Sequence, residues 1–136
     1  MGNLYSISTI RKKVREYGKK IGAPKQLLIV PTTTDGFGTP HIEIDDQEYH
    51  YVVSERGTEH KRKTTRNIHK LLYWIFKDIV FEMASDYELN HRNPEEDFRR
   101  ILFKKDLELF EKLDEQWYLW EKVELDSILK ENPYEP

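Results

Sequence analysis

The stretch EYHYVVSERGTEHKRKTT, residues 48–65, decides the fold. Over its first half tyrosine and valine alternate with polar groups, the period-two pattern of a half-buried strand. The pattern breaks at Glu55-Arg56-Gly57, where Gly57 suits a turn with positive φ. The dense positive charge that follows, Lys61 to Arg66, reads as a basic loop leading up to a helix. If the strand is regular to its end, Glu55 and Arg56 point to opposite faces, and one of them needs a partner near the covered face. Asp97, Arg99 and Arg100 offer complementary charge, and an arginine fork suits bidentate pairing with a carboxylate. The expectation is a buried ion-pair cluster.

Working upstream, HIEID (residues 41–45) forms a second strand joined through a tight turn near Asp46-Gln47. Pairing Ile44 with Tyr49 and Ile42 with Tyr51 puts four apolar side chains on one face, which a one-residue slip would undo. That register sets Glu43 opposite His50, with His41 nearby. A third ligand at metal-binding spacing is missing, so the expected outcome is a cross-strand Glu/His contact, with no metal and no cofactor. QLLIVP (residues 26–31), apolar and bounded by turn formers, reads as a short strand covered on both sides. TTTDGFGTP (residues 32–40) has two glycines but lacks the spacing of a phosphate-binding loop. Ile7, Ile10, Val14, Tyr17 and Ile21 recur at three and four residues behind a Ser6 or Ser8 cap, which predicts an amphipathic helix ending at Gly22-Ala23-Pro24.

Downstream, a long helix is expected from Thr65 to about Tyr87, with only a narrow polar wedge at Lys70 and Lys77. Asn93-Pro94 suits the cap and first turn of the next helix. After a break near Asp114, QWYLWEKVELDSILKENPYEP gives a last helix ending before Pro133. The fold class is therefore α+β: an N-terminal helix, a small three-stranded and largely antiparallel sheet, then two or three long helices packed on it. Residues 1–136 read as one domain.

A chain of 136 residues buries about two-thirds of its unfolded surface and needs no staple. It has no cysteine, which excludes disulfides, a thiol nucleophile and a cysteine zinc site. The N-terminus lacks a signal peptide's apolar stretch, no run approaches the roughly 18 apolar residues of a membrane span, and Gly2 with Ser6 is only a fragment of an acylation pattern. The expected location is the cytoplasm. Lys105 to Pro136 holds four Lys against ten Asp plus Glu, a charge of −6, while the rest carries +3. Arg11–Lys25 and Arg56–Lys70 are basic, yet the isoelectric point near 6.0 is low for a nucleic-acid-binding domain.

The motifs YHYVVSERG, LLYWIFKDIVFEMASDYELNHR, DFRRILF and ILKENPY, in that order between Tyr49 and Tyr134, resemble immunity protein family 63 of bacterial polymorphic toxin systems. The resemblance implies a small α+β cytosolic protein that binds a cognate toxin domain and protects the producing cell. Within these motifs Glu55, Arg56, Gly57, Asp97, Arg99 and Arg100 read as structural.

An enzyme is the competing reading. Glu55, Arg56, Glu59 and His60 can be drawn as a hydrolytic cluster, and the basic segments as a nucleic-acid surface. HExxH, GxSxG and a spaced nucleophile and base are missing, so neither a catalytic residue nor direct nucleic-acid binding is expected. The expected mechanism is occlusion of the toxin's active site. For a nuclease toxin, with a positive groove, the acidic end supplies the surface: Glu111, Asp114, Glu115, Glu121 and Glu124, with Tyr118 as an anchor because Trp117, Tyr118 and Trp120 cannot all face one core.

Overall fold

The alternating stretch does form a strand, but the basic residues after Gly57 form another strand rather than a loop. Arg56 (φ 51°) and Gly57 (φ 80°) both adopt left-handed backbone, the requirement of the mirror-image two-residue turn whose twist matches a hairpin. In the computed structural model, which describes residues 4–136, the elements are α1 (Ile7–Lys20), a 3-10 turn (Lys25–Leu28), β1 (His41–Ile44), β2 (Tyr49–Glu55), β3 (Thr58–Thr65), α2 (Ile68–Asn90), α3 (Arg99–Leu113) and α4 (Glu115–Glu131). Four helices and a three-stranded antiparallel sheet of order β1-β2-β3 make the α+β class expected.

The register Ile42 with Tyr51, Glu43 with His50 and Ile44 with Tyr49 is the one the apolar pattern requires. β3 carries no apolar alternation because it is an edge strand with mostly exposed side chains. Its run Lys61-Arg62-Lys63 discourages another chain from pairing there. The ladder shifts at Val53/Ser54, which face Lys61 and Glu59, so His60 is the extra residue of a bulge.

The covered strand expected at residues 26–31 is not present: Lys25–Leu28 is a 3-10 turn. Ile29 is 70% exposed while Val30 is buried. The Arg11 guanidinium donates to the Val30 carbonyl from Nε (3.1 Å) and Nη2 (2.8 Å). That side chain takes a bond a sheet neighbour would have supplied.

The chain forms two compact units, α1 up to Gly18 with Pro24–Phe76, and Lys19–Ala23 with Lys77–Pro136. In the first, Ile10, Val14, Ile42, Tyr49, Val52, Leu71 and Phe76 are buried. The Tyr49 hydroxyl accepts the Tyr5 N–H at 2.7 Å, and Tyr17 meets Phe76 edge-on at 6.0 Å. Gly18 lies on the inner face of α1 because a Cβ there would stand 2.6 Å from Leu28 Cδ1. In the second unit the buried apolar residues are Ile79, Val80, Ala84, Leu102, Leu109, Phe110, Leu113, Trp117 and Leu125.

Two features of the helices differ from expectation. Asn93-Pro94 forms a turn, with the Asn93 carboxamide accepting the Glu95 N–H, and α3 begins only at Arg99. The later half of α2 is not buried all round, since Phe81 and Leu89 are exposed. Asp114 breaks and caps as expected: its carboxylate accepts the Trp117 N–H at 3.1 Å.

The left-handed φ at Arg56 gives a direct prediction. Arg56→Asn, a residue that tolerates this conformation, should raise stability by about 0.5–1 kcal/mol. A higher urea midpoint with unchanged slope is the expected reading. A lower midpoint would mean that the Arg56 side chain itself supports the fold.

Candidate functional site

The motif residues separate into two structural devices. Glu55 and Arg56 are exposed at the hairpin end, so the buried ion-pair cluster expected around Arg56 does not form. Asp97 pairs instead with Arg99 of its own segment, and Arg100 takes no part in that pair. Asp97 accepts from Arg99 Nη2 at 2.8 Å and Nε at 3.2 Å, and from the backbone N–H groups of Arg99 and Glu135. These hydrogen bonds, led by the Arg99 side chain, hold the Asp97 carboxyl far below the usual carboxylate range. Arg99 also donates to the carbonyls of Asn132 (2.9 Å) and Pro133 (3.0 Å). Arg100 lies 4.4 Å from the centroid of the Tyr134 ring. DFRRILF and ILKENPY are thus two sides of one clamp that fastens the C-terminal tail to the start of α3. A cavity of about 650 Å³ beside it is lined by Arg92, Phe98 and Pro133, with the charges of Asp97 and Arg99 turned on each other.

The polar face of the sheet holds a second network, in the first unit. Glu43 accepts from His41 Nε2 at 2.8 Å. His50 reaches Asp45 through Nε2 (2.6 Å) and Arg62 through Nδ1 (3.0 Å). Arg62 also bridges Glu43 and Glu59. Asp45, whose carboxylate accepts the Gln47 and Glu48 N–H groups and His50, is lowered to about 2. The Glu43–His50 contact expected across the strands is replaced by this arginine-centred web, and among the described residues no group of three or more His, Cys, Asp and Glu is arranged to hold a metal ion.

The acidic end contains both surface and core. Glu111 and Glu115 are exposed, Glu124 is exposed and bonded to Lys77, and Tyr118 is half-buried. Glu121 is only 4% exposed and receives the Lys77 ammonium at 3.2 Å, so it is withdrawn from the candidate contact set. Its helical phase puts it there. Trp117, Glu121 and Leu125, spaced by four residues, form the inward stripe of α4. Behind Glu121 lies Asp106, also 4% exposed, with one carboxyl oxygen lacking any hydrogen-bond partner. Burial, and then a hydrogen bond and charge from Glu121, push the Asp106 carboxyl up to about 9. Burial alone would lower Lys77, but Glu124 and Glu121 outweigh it and hold the ammonium above its ordinary value.

Missed in the sequence were Leu119 and Val123, 54% and 69% exposed on the outward side of α4. The signal was available. Both sit four residues apart and out of phase with the Trp117/Glu121/Leu125 stripe, so burial of that stripe forces them into water.

No helix among the described residues is long and apolar enough to cross a membrane. No curated protein and no solved structure shows significant similarity to the chain. The family model of immunity protein 63, however, matches residues 45–127, from the turn before β2 into the last turns of α4. That span covers more than half of the chain, and the chain belongs to the immunity protein 63 family.

Proposed function

We propose that this protein is the cytoplasmic immunity component of a polymorphic toxin system, acting without turnover by binding a cognate toxin domain and occluding its active site. Membership of the immunity protein 63 family carries the reading. The contact surface proposed is the outward side of α4 with the end of α3. Exposed Leu119 and Val123 supply an apolar centre, Glu111, Glu115 and Glu124 an acidic border, and Tyr118 a half-buried aromatic edge. Apolar anchors inside a charged border are the usual anatomy of a binding patch. A nuclease toxin, with a cationic groove, is the partner class this border complements. Asp114 contributes by starting the helix rather than by contact.

The test uses purified toxin domain from the neighbouring gene. Glu111→Lys with Glu115→Lys should slow association at low salt, and added salt should slow the parent protein similarly. Leu119→Asp should act on dissociation. Unchanged rates in these variants, with circular dichroism like the parent's, would move the interface off α4.

A further inference from the structure

Along the side of α3 next to the end of α2 runs a groove of about 290 Å³ with a charge opposite to that of the surrounding unit. Arg100 and Lys104 stand one turn apart on its α3 wall, about 6 Å along the axis, and Lys105 adjoins them. Tyr87 and His91, stacked at 3.9 Å, form the facing wall. Two of the three cations lie over aromatic faces: Arg100 over Tyr134 at 4.4 Å and Lys105 over Tyr87 at 4.5 Å. The contact of Lys105 with Glu108 is long, at 3.9 Å, and Lys104 is exposed. Cations positioned by rings keep their charge available and have less freedom to lose on binding a carboxylate.

We propose that this groove binds an extended acidic segment of a partner protein, with two carboxylates two residues apart. Alternate side chains of an extended chain repeat at roughly 6.6–6.8 Å, close to the axial separation of Arg100 and Lys104. Glu96 and Glu108 also line the groove. Their negative charges limit the positive stretch to Arg100, Lys104 and Lys105, which suits a pair of carboxylates better than a continuous polyphosphate and favours peptide over nucleic acid. The proposal is independent of the toxin surface, because it concerns the opposite charge on the first turns of α3, away from Glu111 at the other end of that helix.

The probe is a fluorescein-labelled Gly-Ser-Glu-Thr-Glu-Ser-Gly peptide, titrated into the full chain and followed by anisotropy and amide NMR shifts. Binding is expected to weaken with salt, to shift the Ile101 and Lys104 amides, and to fall about tenfold in Arg100→Gln/Lys104→Gln. Lys104→Gln alone, at an exposed position, should retain the parent's fold and still weaken binding. The inference fails if the Gln-Thr-Gln peptide binds as well, if inorganic phosphate or a single-stranded oligonucleotide competes equally, if the shifts lie off α3, or if the probe does not bind.

Discussion

Lys77→Met should cost about 3–5 kcal/mol of folding stability at neutral pH, the scale observed when one member of a buried ion pair is removed. Lys77 is the cation that the structure supplies to Glu121, itself 4% exposed, and it also bonds Glu124. Without it, Glu121 stays buried beside Asp106 and loses that ammonium. The methionine is of similar length and apolar, so lost packing does not account for the effect. Urea denaturation of both proteins at pH 7 measures it. A midpoint within error of the parent's would mean that water, not Lys77, satisfies Glu121. Because Lys77 is raised above its ordinary value, its contribution is present at neutral pH and is lost as the pH climbs past about 10.4 toward its folded value.

Asp106→Asn should have the opposite sign. The Asp106 carboxyl, pushed up to about 9, keeps its proton in the folded state at neutral pH, whereas the unfolded chain releases it near pH 4. Folding must therefore bind a proton between these values, and stability falls as the pH rises from about 4 to 9. Asparagine has the shape of the protonated acid and can donate to Glu121 without that cost. We expect a gain of about 2–4 kcal/mol at pH 7 that shrinks toward nothing near pH 4. Urea midpoints of the pair at several pH values decide it: a constant gap, or a less stable variant, would show that Asp106 is ionised in the fold.

These two residues also show how far sequence reading reaches. The register of β1 on β2, the break at Asp114 and the class of fold were legible, because alternation and capping are local and each has one low-energy solution. β3 was not, since an exposed edge strand need not alternate and its composition matches that of a loop. The segment at residues 26–31 failed for the opposite reason, an apolar run whose Val30 carbonyl is taken by Arg11 of the preceding helix. For the candidate surface, net charge identified the acidic end but not which acids face inward. Phase along α4 places Glu121 with Trp117 and Leu125, where it meets the Lys77 ammonium and the Asp106 carboxyl. The paired motifs DFRRILF and ILKENPY were each visible, but their contact through Arg99 joins positions 33 and 34 residues apart that no periodicity links.

The order β1-β2-β3, in which every strand pairs only with its neighbour in the chain, bears on the timing of folding. Short connections make closure inexpensive in entropy, and hairpins form in about 1–10 μs. Synthesis of the 66 residues from Arg66 to Glu131, the end of α4, takes several seconds at about 5–20 residues per second. The strands can therefore sample their final register many times over before α3 and α4 exist.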